Sequence, residues 1–454
     1  MSDHANKSFY RTLYTLAIPI ALQSLIMALL NMTDQVMVGQ LGDIAIASVG
    51  ISSKIFSVIS VVLAGLAATL SIYTAQYWGK KDTKSISHLL GLSLYLGLSL
   101  SILFAIIVFF NPQPLLSLFT TDMLVTGEGG IFLQIGALSY VPIMLTMLYS
   151  AILRSTGHVK LPMYVSLCAV MLNIILNYLL IFGHFGFPQL GLAGAAYATV
   201  IARLAECLLI IGAVYWFRLP GAVEFQHLFR TSRPLARKFL VTMYPLVLTE
   251  LVWVLGEAVY AVIYSRMGVA EMTAMTITFP LQGLMIGLLS GIGAAAGVMV
   301  GNKLGEGDHT QAMNYARKLI RVGLVTSFGL GIVVVLLAPM YTRIFQVSVE
   351  VKQLSVYVIW VFAAFMWVKV ANMIIAGGIL QSGGDSKFVF AMESTATWLV
   401  GVPLGFMLSF VWKQPLFWVY FFLSLEEVVR FIIGYIRYRS GKWMQNLTVQ
   451  SDAS

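Results

Sequence analysis

Apolar residues run through this chain in long blocks, interrupted by short polar turns. Segments 88–111, 272–301 and 322–340 contain no Lys, Arg, Asp or Glu. A helix rises 1.5 Å per residue, so roughly 20 such residues cross a hydrocarbon core of about 30 Å. The pattern predicts twelve helices near 11–39, 44–78, 88–111, 128–154, 160–183, 190–217, 237–266, 271–301, 316–340, 351–380, 387–412 and 416–438. Several exceed the minimum span, which implies tilt or protrusion into water.

The second six blocks repeat the first at an offset of 226 residues. Pro19 pairs with Pro245, Gly42 with Gly268, Gly65 with Gly291, Gly79 with Gly305 and Asp82 with Asp308. At Leu153-Arg154-Ser155-Thr156-Gly157 the register slips by one, onto Leu380-Gln381-Ser382-Gly383-Gly384. Six crossings are an even number, so both halves start on the same face and the repeats are parallel. The expected fold is an all-α polytopic membrane protein. Its first lobe is 1–217, followed by a cytoplasmic linker at 218–236, a second lobe at 237–438 and a cytoplasmic tail at 439–454. Residues from Met444 onward read as free. Met1-Ser2-Asp3-His4 leads into the first helix without a cleavage-site pattern, so no removable signal peptide is expected.

Composition agrees: 454 residues, 59% hydrophobic, 10% charged, mean hydropathy +0.86. A soluble domain would carry about a quarter charged residues. The net charge of +9 does not indicate nucleic acid, because the basic residues cluster on one side of the membrane. Lys80, Lys81, Arg154, Arg237, Lys318 and Arg437 exemplify that side; the opposite loops hold Arg266, Arg343, Lys352 and Lys413. By the positive-inside rule both termini are cytoplasmic, in the plasma membrane, with membrane lipid as the surrounding partner. Cys168 and Cys207 fall within apolar helices and read as packing residues.

Ionisable groups inside a bilayer are costly and therefore candidates for function. Asp34 is the sharpest: it follows Asn31-Met32-Thr33 with no basic residue within one helical turn, and Pro19 lies fifteen residues earlier as a candidate hinge. Its carboxylate could take a proton or, with carbonyl help, Na⁺. Asn173 and Asn177, one turn apart, could face it, with Thr199 adding a hydroxyl; the same Asn pair is also ordinary interhelical glue. Glu250 and Glu257 are seven apart around Trp253, and depth counting from the helix ends allows Lys369 to pair with Glu250. Arg203 with Glu206, and Glu426 with Arg430, are spaced for local pairing. Glu427 is a further intramembrane acid. Lys54 can snorkel to the interface, and Glu393 falls near a wetted cytoplasmic helix end. His88 and His184 offer little as switches. A cavity combining Asp34, Trp253, Glu257, Lys369 and Asn372 with aromatic and Met side chains would suit flat lipophilic cations.

Taken together these residues resemble the multidrug and toxic compound extrusion (MATE) family over nearly the whole chain. The resemblance is carried by Pro19 with Asp34-Gln35-Val36-Met37-Val38-Gly39, and by the paired loops Ala75-Gln76-Tyr77-Trp78-Gly79 and Gly301-Asn302-Lys303-Leu304-Gly305. It continues in Leu153–Gly157, Gln381–Asp385, Asn173–Asn177 and Gly194–Thr199. It implies two six-helix lobes in a V and export of organic cations or other lipophilic toxic compounds against inward H⁺ or Na⁺. No cofactor beyond the coupling ion is implied, and the expected unit is a monomer. Asp34 matches the family's acid in the first helix, and Glu250 resembles an acid in the seventh. Two departures stand out: Asn177 replaces an Asp common in the family, and the tenth helix reads Trp367-Val368-Lys369-Val370-Ala371-Asn372, without the acid of one branch.

A flippase of lipid-linked precursors is the alternative transporter, although it would favour a cationic cavity. A major-facilitator transporter would place an Asp-Arg-Gly-Arg-like pattern where Gly79-Lys80-Lys81-Asp82 stands. An intramembrane enzyme would need paired His ligands, a Gly-x-Ser-x-Gly elbow or a phosphate loop, none of which occurs.

Overall fold

The computed structural model describes residues 3–223 and 232–448. Residues 224–231 of the predicted linker, Arg230 among them, and the last residues of the tail lie outside them. The elements are α1 (Asp3–Gly39), α2 (Asp43–Gly79), α3 (Thr83–Phe110), α4 (Pro112–Ser117), α5 (Met123–Ala137), α6 (Tyr140–Ser155), α7 (Lys160–Phe182) and α8 (Gly191–Trp216). The second half brings α9 (Arg233–Met267), α10 (Val269–Gly305), α11 (His309–Arg343), α12 (Val349–Asn372), α13 (Ser386–Thr395), α14 (Val402–Phe406) and α15 (Leu416–Ser440). No strand occurs among the described residues.

Ten of these spans are long and apolar enough to cross a membrane, counting α12 through Leu380 and α13 through Val411. The pair α5–α6, bent by 47°, supplies an eleventh. Its break follows from Pro142: without an N–H it cannot bond the Leu138 carbonyl one turn back, and the Leu138 and Ser139 N–H groups fall back on Ile135 and Gly136. The twelfth predicted crossing is α15, 25 residues long, whose middle carries Glu426, Glu427 and Arg430. The chain is an all-α, multi-pass membrane protein.

Repeat-related positions adopt matching local structure. Asp82 caps α3 by accepting from Ser85 N at 3.1 Å, and Asp308 caps α11 by accepting from Gln311 N at 2.9 Å. Where the register slips, both turns close the same way. His158 N bonds Leu153 O at 2.7 Å and Asp385 N bonds Leu380 O at 3.2 Å, with Gly157 and Gly384 at φ +88° and +79°. This paired closure around a left-handed glycine is the Schellman arrangement.

The chain packs as two compact units. One comprises 1–21, 75–81 and 244–454; the other comprises 22–74 and 82–243. The cut through α1 falls two residues after Pro19, and the cut through α9 one residue before Pro245. Both helices run unbroken through their prolines.

Within the first unit the ends of α2 and α10 cross reciprocally. A Cβ on Gly79 would overlap the Asn302 carbonyl, and one on Gly305 would overlap the Gln76 carbonyl. Only glycine allows backbones this close. The fully buried Gln76 then anchors the end of the chain: its Nε2 donates to Ser382 O at 2.7 Å and Gln445 O at 3.0 Å, while its Oε1 accepts from Leu447 N at 2.7 Å. Trp443 is buried, donates Nε1–H to Tyr438 O at 3.0 Å and packs against Gly383. The expectation of a free tail from Met444 is therefore corrected for Met444–Thr448. A short polar run looks solvated in sequence, but its backbone groups here find partners in Gln76 and in Lys80, whose Nζ donates to Thr448 O at 3.3 Å.

Candidate functional site

Each unit encloses a polar cavity. The first, of about 510 Å³, is lined by α1, α2, α5, α7 and α8 and includes Asn31, Asp34, Gln35, Ser53, Asn173, Asn177, Thr199 and Arg203. Asn177 on α7 donates from Nδ2 to Asp34 Oδ1 at 2.7 Å and to Asn173 Oδ1 at 3.0 Å. Asn173 and Asn177 are buried, at 3% and 2% exposure. Asn177 Oδ1 is buried with no partner among the described residues, so an acceptor oxygen sits beside the carboxylate without a donor. Thr199 lines the cavity and returns its proton to Ala195 O at 3.0 Å, leaving its lone pairs available. These are hard oxygen groups, of the kind that suit a proton or an alkali cation. Arg203, which sequence spacing marked only as a partner for Glu206, enters the same cavity; its bond to Glu206 Oε2 measures 2.8 Å.

The second cavity, of about 480 Å³, belongs to the other unit and is lined by α9, α10, α12, α13 and α15. Five carboxylates face it (Glu250, Glu257, Glu393, Glu426 and Glu427) against two cations, Lys369 and Arg430. Trp253 and Asn372 also line it, so four members of the predicted substrate cavity meet here, while Asp34 lines the first cavity.

Arg430 organises the second cavity. Its Nη1 lies 3.0 Å from Glu393 Oε2 and 3.5 Å from Glu427 Oε1, and its Nη2 lies 3.0 Å from Glu426 Oε1. Nη2 also donates to Thr397 Oγ1 at 2.6 Å. Glu426 accepts a further hydrogen bond from the Tyr260 hydroxyl, and a Cβ on Gly401 would strike both partners. That glycine closes the π-helical stretch Ala396–Gly401, one of several wide turns in this half; another, Met373–Leu380, continues α12. Widened turns of this kind recur at functional sites.

Two expectations are corrected here. Lys369 pairs with Glu427 Oε1 at 3.0 Å, not with Glu250. Asn372 Nδ2 also donates to Glu427 Oε2 at 2.8 Å, so α12 presents a lysine and an amide one turn apart to a single carboxylate. Depth counting placed Lys369 level with Glu250 but could not register α15, which supplies the actual partner. Glu393, expected to be wetted, is 15% exposed and ion-paired to Arg430. No hydrogen bond or ion pair among the described residues engages Glu250 or Glu257. Lys54 is exposed, as snorkelling requires.

The family profile MatE matches residues 19–179 and 245–407, one segment in each half. The chain belongs to the MatE family. Among curated relatives, "Uncharacterized transporter YisQ" from Bacillus subtilis is 26% identical over 97% of this chain and 96% of its own length. A "Probable multidrug resistance protein NorM" from Chromobacterium violaceum is 28% identical, covering 93% of this chain and 91% of its own. Of solved structures, a MATE in complex with MaL6 superposes with a TM-score of 0.86 at 20% identity, over 95% of this chain and 96% of the other. A MOP superfamily transporter from Pyrococcus furiosus gives 0.85 at 19%, with the same coverage. The protein is a MATE transporter with the fold of that family.

Proposed function

We propose that this MATE transporter is a secondary active antiporter. It exports organic cations or lipophilic toxic compounds in exchange for inward H⁺ or Na⁺, across the bacterial cytoplasmic membrane and with both termini in the cytoplasm. The observation that carries the reading is Asp34, an acid in a drug-sized cavity whose only hydrogen-bond partner among the described residues is an Asn amide. A carboxylate so placed can be neutralised by a proton, by Na⁺ shared with Asn177 Oδ1 and Thr199, or by the cationic group of a cargo. Occupancy by one excludes the others, which is the exchange that antiport requires. Neutralising Asp34 also weakens its charge-assisted bond to Asn177, releasing α1 from α7 above Pro19, where the packing of α1 changes from one unit to the other. Glu250 and Glu257, without a hydrogen bond or ion pair among the described residues, give the second cavity two further acids for a coupling cation, and its excess of carboxylates disfavours a phosphate cargo. One charge moving down 100 mV supplies about 2.3 kcal/mol, enough for roughly a fiftyfold cargo gradient.

The test is efflux of a fluorescent organic cation from proteoliposomes, under a pH gradient and a Na⁺ gradient imposed separately, in wild type and Asp34→Asn. Transport driven by either gradient and lost in the variant supports the reading and names the ion. Full gradient-driven transport in Asp34→Asn, or none in wild type, overturns it.

A further inference from the structure

A smaller cavity, of about 60 Å³, adjoins the second one within the same unit; it has room for a few waters and for no drug-sized cargo. It starts among Tyr264, Gln282 and Tyr420 and ends on Glu257, Lys369, Glu426 and Glu427, which also line the larger cavity. Those four side chains are the wall that the two spaces share. Of the two cations in the larger cavity, Lys369 alone reaches the smaller one.

The ammonium of Lys369 is lightly held. Its one hydrogen bond among the described residues goes to Glu427 Oε1, at 3.0 Å. Glu427 has other partners: Arg430 Nη1 at 3.5 Å from the same oxygen, and Asn372 Nδ2 at 2.8 Å from Oε2. The carboxylate therefore keeps two donors if the lysine moves. Glu257 has no hydrogen bond or ion pair among the described residues, yet the charge of Lys369 acts on it. A lysine is a compact point charge on a flexible four-carbon stem. One ammonium thus serves two carboxylates, Glu427 by contact and Glu257 through space.

The first half has no such pair of acids. Offsets of 226 and 227 residues carry Asn31 to Glu257 and Val200 to Glu427. An amide and an aliphatic group stand where the second half has carboxylates, so the lysine belongs to a feature of one half only.

We propose that Lys369 sets the ion selectivity of the second cavity: its ammonium is the resident cation of Glu257 and Glu427 and bars Na⁺ from them. A metal ion needs the carboxylate oxygens for itself. Here it would meet a like charge already in place and be repelled at short range. Arg430 is no substitute for that resident cation, since it is engaged by Glu393, Glu426 and Glu427. The proposal rests on the second cavity being a cation site of the antiporter, and deepens that reading: a Na⁺-driven cycle would draw its Na⁺ site from the first cavity alone.

The test is equilibrium binding of radiolabelled Na⁺ to the purified full-length protein, with choline chloride holding ionic strength constant. Asp34→Asn is the background throughout, so that the first cavity's acid does not contribute. The expected result is no saturable binding while Lys369 is present, and a saturable site in Asp34→Asn/Lys369→Met. Adding Glu257→Gln to that variant removes a ligand charge and weakens the site about tenfold or more. Lys369→Gln donates to Glu427 without carrying charge, and serves if the Met variant does not fold; Na⁺ should bind it and raise its melting temperature. Saturable Na⁺ binding in Asp34→Asn with Lys369 in place overturns the proposal. So does a lack of Na⁺ binding in the folded Lys369 variants, or a site in them indifferent to Glu257→Gln. Failure of gradient-driven efflux in wild type, with Na⁺ exclusion by Lys369 intact, would instead count against antiport.

Discussion

Asn177 Nδ2 lies 2.7 Å from Asp34 Oδ1, while Asn177 Oδ1 is buried without a partner among the described residues. One amide thus clamps the acid on α1 and presents an acceptor beside it. Asn177→Leu removes both groups while keeping the branched shape and the heavy-atom count of the side chain. A charge-assisted hydrogen bond contributes about 1.5–3 kcal/mol, so gradient-driven efflux in proteoliposomes should fall about tenfold or more. Unchanged rates would mean that the clamp is only packing.

The Lys369–Glu427 pair joins α12 to α15, with the Glu427 side chain 9% exposed. Breaking one side of such a pair strands a charge and costs about 3–5 kcal/mol, whereas removing both sides is often close to neutral. Lys369→Met should lower the melting temperature in detergent clearly, and Lys369→Met/Glu427→Gln should recover most of the loss. Glu250→Gln should leave it in place. The opposite order would restore Glu250 as the partner of Lys369.

At the α2–α10 crossing, Gly79→Ala and Gly305→Ala each drive a Cβ into a carbonyl of the facing helix. Both should melt earlier and yield less folded protein. Gly212→Ala is the control: nothing lies within 4 Å of its new methyl, and Ala is better than Gly inside a helix by about 0.5–1 kcal/mol. If all three behaved alike, the close approach would have no energetic consequence.

Ending the chain at Lys442 removes Trp443 and the segment held by Gln76. Truncating a buried Trp costs about 3–5 kcal/mol, so the shortened protein and Trp443→Ala should both show a lower melting temperature. Removal of the undescribed residues after Thr448 alone provides the baseline for that comparison.

Much of the fold was legible because bilayer spans announce themselves by length and lack of charge, and because a repeated half reports its own turns. The one-residue slip at Gly157 and Gly384 was visible in sequence and appears as two equivalent Schellman closures. The break between α5 and α6 was less legible: apolar content continues through Leu138 and Ser139, and only the missing N–H of Pro142 marks it. Trp443 was missed because a lone aromatic after a basic helix end resembles an interface anchor.

At the candidate site, residue type identified the acids, but partner choice needed three dimensions. Spacing along one helix was enough for Arg203–Glu206 and Glu426–Arg430, where the two groups share a face. It failed for Lys369, since rise per residue gives depth but not azimuth, and two acids at similar depth on different helices cannot be separated that way. Arg203 pairs with Glu206 as their spacing led one to expect, but its place on the wall of the first cavity could be read only from the fold.

Carried forward by 226 residues, Asp34 lands on Tyr260; carried forward by 227, Thr199 lands on Glu426. Tyr260 donates to Glu426 in the second half. The duplicated scaffold has therefore transposed its chemistry, with acid and hydroxyl trading helices between the copies. A chimera of two first halves would hold two lone acids and no arginine cage, and one of two second halves would hold two cages and no clamped acid. The halves share their turns but not their charged groups, so neither can stand in for the other.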